Sequence, residues 1–318
     1  MGQRIPGGHA AAAADSPYEN AIRFCVDAIL RMHWGEKLIN KIFGRATQSH
    51  AAGLAVIMHY EALEGRGRRP TLALVQAQMG KARTLAAFFG LLRLAGFIRV
   101  EVDPADRRLQ YLVPAAPLIQ GLKTWILHHV RCSEIMGFVP PGFTARARRD
   151  EALFGAFIAR ARPLLERTHT PPESAASWTW IDSLDCGDRI GLLLLRGHYA
   201  AAAAGEAWFA FNSREVAANL GISHSHVRNV LNRAEAKGLL RQDRRRNGIA
   251  LSETFVEGAR AWFTLFWGWV AEAVEATQAS LASQASLPVA PEGLAVDPAH
   301  LPPVRDAAWN RDQARPLP

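Results

Sequence analysis

The sequence predicts a mainly α-helical chain with short β-hairpins, built as two tandem copies of one small domain joined by a helical linker. Three observations carry this. Between its two ends the chain places apolar residues at helical spacing. Two short β-like runs, "GFIRVEVDPADRRLQYLVP" (96–114) and "GLLRQDRRRNGIALSE" (238–253), interrupt that period. Each follows a helix-ending Gly and turns at Asp/Pro or Asn-Gly, as hairpins do. Around both runs the same order recurs: an apolar helix, a second helix, a turn, a third helix, Gly, hairpin, helix.

Taken in order, residues 1–17 are Gly/Ala-rich and read as a disordered tail. The first copy spans 18–135, with "AAGLAVIMHYEAL" (51–63) as its apolar helix. Residues 136–184 form the linker, in which "FTARARRDEALFGAFIARARPLLERTH" (143–169) reads as one long connecting helix stopped by Pro171 and Pro172. The second copy spans 185–280. From 281 to 318 the chain becomes Pro/Ala-rich, and repeated prolines deny both helix and sheet, so a second disordered tail is expected.

At 318 residues each copy is long enough to bury its own core. The excess of 37 Lys+Arg over 29 Asp+Glu gives +8, which suits a polyanion partner, although a basic protein of another kind shows the same balance. Cys25, Cys132 and Cys186 are far apart and odd in number, which fits a reducing compartment without disulfides. The N-terminus lacks the pattern of a signal peptide. Of the two most apolar runs, 261–271 is too short to span a bilayer, and 191–205 is interrupted by Arg196 and His198. A cytoplasmic protein without a membrane partner is expected. P-loop, GxGxxG, GxSxG and HExxH are all missing, so no catalytic residue, cofactor or metal is expected. "DSLDCGD" (182–188) groups three aspartates with Cys186, but between helices it reads as a cap-rich turn.

The second copy carries the functional signal. Asn212 can N-cap a short helix, with Glu215 completing a capping box. Val216, Ala217 and Leu220 form its buried face, Gly221 makes the turn and Ser223 caps the next helix. There Val227, Val230, Leu231 and Ala234 fall on one stripe. Opposite that stripe lie Ser225, Asn229, Asn232 and Arg233, with Arg228 on the flank, all able to hydrogen-bond to base edges or phosphates. Gly238 ends the helix, and Arg244, Arg245 and Arg246 crowd the tip of the following hairpin.

This pattern resembles the winged helix–turn–helix of bacterial transcription regulators of the MarR-like kind. Leu220, Gly221, Ile222, Ser223, Val227, Leu231, Gly238 and Leu239 match position for position, over about 210–255. The resemblance implies two tandem winged helix–turn–helix domains with hairpin wings. It also implies major-groove insertion of the 224–236 helix and a minor-groove or phosphate contact from the wing. The expected DNA-binding residues are Ser223, His224, Ser225, Arg228, Asn229, Asn232, Arg233, Arg244, Arg245 and Arg246. Such regulators usually carry one such domain per chain, so their dimer architecture does not transfer. His224 and His226 lie about 160° apart by helical period and do not converge on a metal. His224 reads as a contact to the DNA backbone.

The first copy is blander. With Leu85 in the place of Val227, its inward stripe is Leu85, Phe88, Phe89 and Leu92. Its outward face is Arg83, Ala87, Gly90 and Leu94, where only Arg83 can bond a base. Met79 stands where the pattern expects Gly, and the "DPADRR" tip is not clearly basic. The "GRGRRP" run (65–70) reads as a solvated loop with some capacity for phosphates. The apolar outward face is expected to meet protein: the 143–169 helix, the Trp-rich 254–278 helix, or a second subunit. The Trp-rich helix is apolar almost all round, so it should be buried.

The implied partner is double-stranded DNA, with a homodimer and a small-molecule effector, held among those tryptophans, left open. Two other readings compete. Plasmid-type replication initiators also resemble two winged helices in tandem, but both copies usually touch DNA there. Tandem winged-helix subunits of chromosome-organising complexes need not use the recognition helix for DNA, whereas a basic wing suits such use.

Overall fold

The computed structural model describes residues 16–80 and 82–285. Of the tails expected over 1–17 and 281–318, residues 1–15 and 286–318 lie outside the described residues. The chain is mainly helical, with two small antiparallel sheets.

Helix α1 (Pro17–His33) starts where Ser16 accepts from the Glu19 amide and Pro17 takes the first helical position, so order begins inside the expected tail. Its stripe of Ala21, Ile22, Cys25, Ile29 and Leu30 is buried. A short α2 (Lys37–Phe43), which the sequence period did not resolve, follows Gly35 and leads into α3 (Ala46–Leu63). Next come α4 (Leu72–Met79), α5 (Ala82–Leu94), strands β1 (Ile98–Val102) and β2 (Gln110–Pro114), and α6 (Ala116–Ile135). The second half repeats the order: α11 (Gly187–Ala203), β3 (Phe209–Ala210), α12 (Ser213–Leu220), α13 (His224–Ala236), β4 (Leu240–Asp243), β5 (Gly248–Leu251) and α14 (Glu253–Ala285).

The two halves agree in detail. Gly80 ends α4 and Gly221 ends α12, both left-handed with φ of 63° and 71°. The glycine expected at Met79 therefore exists one residue later; the turn of the first half is shorter, which hides it from a direct alignment. Leu85, Phe88, Phe89 and Leu92 are buried on α5, as Val227, Val230, Leu231 and Ala234 are on α13. In the second half β3 pairs with β5, and β5 with β4, giving the order β3-β5-β4. In the first half the place of β3 is taken by a single bridge, Thr71 to Tyr111, beside the β1-β2 hairpin.

The segment between the halves is not one helix. It forms α7 (Phe143–Arg149), α8 (Glu151–Ile158), α9 (Arg162–Arg167) and α10 (Ala176–Asp182), with a 3-10 turn at Glu173–Ala175. Asp150 breaks the first join, because its backbone is extended and its carboxylate caps the Leu153 amide at 3.0 Å. Pro163 restarts the chain at the first turn of α9. These short helices pack on α3, α6 and α14. At Gly155 of α8 a Cβ would stand 3.0 Å from the Tyr60 ring, so α3 and α8 pack closely there and a larger residue would push that ring aside.

Helix α14 runs five residues into the expected second tail. From Gly258 to Ala271 none of its residues is exposed, as its all-round apolar surface predicted. What covers it lies within the chain: α1, α6, α8, α9 and α10. Ser133 donates to the Trp267 carbonyl at 2.7 Å, Arg23 to the Tyr199 carbonyl at 3.2 Å, and Arg167 pairs with Glu272 at 2.5 Å. One continuous apolar cluster draws on both halves. Cys25, Cys132 and Cys186 are free and buried. Among the described residues no helix is long and apolar enough to cross a membrane.

Candidate nucleic-acid interface

Two caps set the geometry of the second half. Asn212 accepts from the Glu215 amide at 3.2 Å, and Ser223 accepts from the His226 amide at 3.1 Å. With Gly221 between them, α12 and α13 form a tight helical pair whose apolar stripes face inward. The polar side of α13 is left to solvent: Ser223, Ser225, Arg228, Asn229, Asn232 and Arg233 are all exposed.

The β4-β5 hairpin stands beside α13 and leaves a groove of about 750 Å³ between them. His224, Arg228, Asn232, Arg244 and Arg246 line it, together with Arg214 from the first turn of α12. Four arginines thus face one carboxylate, Asp243, so the groove is positive. Asp243 serves the fold of the tip, accepting from the backbone amides of Arg245 and Arg246 at 3.0 and 3.3 Å. Asn247, with φ of 49°, turns the chain back into β5.

The remaining expected residues take other places. Ser223 is engaged as the cap, and its Oγ lies 3.0 Å from that of Ser225. Asn229 is exposed on α13 outside the groove lining, and Arg245 sits at the hairpin tip. Arg233 is not brought to the groove: its guanidinium stands 5.6 Å over the Trp180 ring, with the Lys237 ammonium at 5.5 Å on the same ring. The two histidines diverge as their spacing predicted. His224 Nε2 lies 2.9 Å from Ser213 Oγ, while His226 Nε2–H donates to the Asp185 carbonyl at 2.8 Å.

Two groove features were missed in the sequence. Arg214 lines the groove because the α12 N-terminus borders it. Gln242 ties the hairpin to α13, donating to Asn232 Oδ1 at 3.2 Å and to Glu235 Oε2 at 3.0 Å. Its signal was the strand period after Leu240, which turns Gln242 toward the helix.

The outward face of α5 in the first half is apolar and open. Ala87 and Gly90 are exposed, and Leu94 is 87 % exposed. Neither the 143–169 segment nor α14 covers that face, so two of the three covers expected for it are ruled out. Two arginines of the run before α4 make contacts within the chain: Arg69 lies 4.1 Å over the Tyr111 ring and pairs with Glu101, and Arg66 pairs with Glu64 at 3.5 Å, while Arg68 is exposed. The Arg83 side chain lies outside the described residues.

No protein-family model, curated protein or solved structure matches the chain.

Proposed function

We propose that the chain is a DNA-binding transcription regulator with two tandem winged helix–turn–helix domains, of which the second reads DNA. The observation that carries this is the positive groove between α13 and its hairpin, with Arg228 and Asn232 on one wall and Arg244 and Arg246 on the other. A helix whose exposed side holds Ser225, Arg228, Asn229 and Asn232 presents donors and acceptors suited to base edges in a major groove. The hairpin arginines would hold the backbone beside it, which positions the helix without specifying sequence.

Selection from a pool of randomised duplexes by the full chain tests the proposal, and a common motif among retained duplexes is expected. On that motif, Asn229→Ala should narrow the gap between specific and random DNA by about 1–3 kcal/mol, the value of one good bidentate contact. Retention of every sequence alike would refute regulation by sequence.

The exposed apolar face at Ala87, Gly90 and Leu94 favours a second reading, a tandem winged-helix subunit whose first half binds protein. DNA affinity indifferent to Arg228 and the hairpin arginines would put that reading first.

A further inference from the structure

A cavity of about 240 Å³ lies between α3, α6, α9 and the turn that joins α10 to α11. It is larger than the roughly 150 Å³ apolar cavity that takes up benzene. Its walls are mostly apolar, with Ile57, Leu118, Trp125 and Phe266 among them. The tryptophans of α14 do not line it. Gly53 in α3 and Gly121 in α6 face open space, since a Cβ on either would meet nothing within 4 Å. Glycine inside a helix is unfavourable relative to alanine. Here two of them keep the cavity wide.

One end of the cavity is polar. Asp188 accepts from Arg189 Nη1 at 2.7 Å, so these two charges match each other. Arg189 is buried, and its Nε–H has no partner. The Asp182 carboxyl, on the same wall, has no hydrogen-bond partner among the described residues. Burial, with Asp188 beside it, pushes Asp182 up to about 7. Burial holds His33 well below its ordinary value and, with His169, brings His50 down to about 4. Asp188 already balances Arg189, so a carboxylate entering beside Asp182 would lose its water without compensation, whereas a hydroxyl can pair with Asp182.

The same wall is fastened to α13. Asp185, in the turn between Asp182 and Arg189, accepts the bond from His226 in the first turn of α13. Cys186 next to it holds a left-handed backbone, φ 51°, and its amide donates to the Gly44 carbonyl at 2.7 Å. Helix α2 gives Ile39 and Phe43 to the cavity, while its Lys37 packs so closely on the α12–α13 turn that a Cβ at Gly221 would stand 2.8 Å from it.

We propose that this cavity binds a small neutral aromatic molecule bearing one hydroxyl, and that its occupancy is relayed to α13 through Asp185 and His226. A hydroxyl suits Asp182 in either state: it donates to the carboxylate and accepts from the acid. The relay has regulatory meaning only if α13 reads DNA as proposed above, whereas the binding site stands without it.

Titration calorimetry of the full chain with β-naphthol and β-naphthoate tests the site. β-Naphthol should saturate at one molecule per chain, and the charged analogue should bind at least about tenfold more weakly because its carboxylate would lie beside Asp182 and Asp188. Gly121→Leu should abolish the uptake. Gly53→Ala, which adds a single methyl to the wall, should weaken it and keeps the test valid if the larger substitution unfolds the chain. No saturable uptake, unchanged uptake in Gly53→Ala, or tighter binding of the charged analogue would overturn the assignment. For the relay, hydrogen exchange of the 223–228 amides should change several-fold with β-naphthol in the parent chain and stay unmoved in His226→Ala. Equal exchange with and without ligand in the parent chain would overturn the relay. A chain that binds β-naphthol and no DNA would keep the site and refute the regulator; one that binds DNA and no β-naphthol would do the reverse.

Discussion

Replacing Arg244, Arg245 and Arg246 together by Ala should strip the hairpin of its phosphate contacts while leaving its shape. The turn is held by backbone amides on Asp243 Oδ1 and by the pairing of β4 with β5, neither of which uses an arginine side chain. The side chains of Arg244 and Arg246 are 72 % and 88 % exposed. Their ion pairs, 3.6 Å to Glu235 and 4.0 Å to Asp243, are loose. Such exposed pairs contribute about 0–1 kcal/mol, so stability should hardly move. Each phosphate neutralised contributes about −0.9 to the slope of log K against log salt. If all three arginines engage, the slope should flatten by about 2.7, and by about 1.8 if Arg244 stays with Glu235. Between 50 and 200 mM salt this removes roughly 10- to 40-fold of the salt sensitivity. Fluorescence anisotropy on a random-sequence duplex at several salt concentrations reads it directly. A slope identical to that of the parent chain would take the hairpin out of the interface, and the positive groove would lose its assigned role.

Three further outcomes concern the fold. Leu94→Lys should leave thermal stability within about 0.5 kcal/mol, because the side chain is 87 % exposed; a larger loss, or dissociation seen by light scattering, would show that a second copy covers this face. Gly90→Ala should stabilise the chain by about 0.5–1 kcal/mol in urea unfolding, since Gly90 lies inside α5 and a Cβ there meets nothing within 4 Å. Asp182, raised to about 7, favours the folded state in its protonated form; that contribution is complete below its unfolded value and is lost as pH rises through 7. Measured from pH 4 to 8, the Tm of the parent chain should therefore fall relative to that of Asp182→Asn. The difference between the two curves removes the opposing effect of His33 and His50, and a flat difference would refute the enclosed carboxyl.

Much of the second half was legible because its signals are local. The stripe at Val227, Val230, Leu231 and Ala234, the caps at Asn212 and Ser223, and the turn at Gly221 each lie within a few residues of what they determine. What the sequence hid depends on contacts distant along the chain. Asp150 inside a helical period looks like a solvated carboxylate, and only its cap on Leu153 shows it to be a break. His226 and Asp185 are 41 residues apart, so nothing in the "SHSHV" stretch indicates its partner. Arg233 fits the polar face by angle, but Trp180 from α10 draws it away. The cavity was illegible for another reason: a space left by Gly53 and Gly121 is a property of the helices around it, and a lone glycine in a helical pattern reads only as a weak point.

The ties across the molecule also set the order in which it can be made. Helix α1 precedes the other described elements along the chain, yet its partners include α11 and α14, among the last of them. Trp267 meets Tyr18 and His129, and Phe255 meets Trp178, so these late rings complete packing begun by segments made long before them. Contacts so far apart in sequence close slowly, because the intervening chain must be gathered first. The first half therefore cannot complete its core until α14 has been made, however alike the two halves look as strings of elements. A nascent chain stopped before residue 253 would hold α1 and α6 with their apolar faces open, and it is this intermediate, rather than either finished half, that a chaperone would meet.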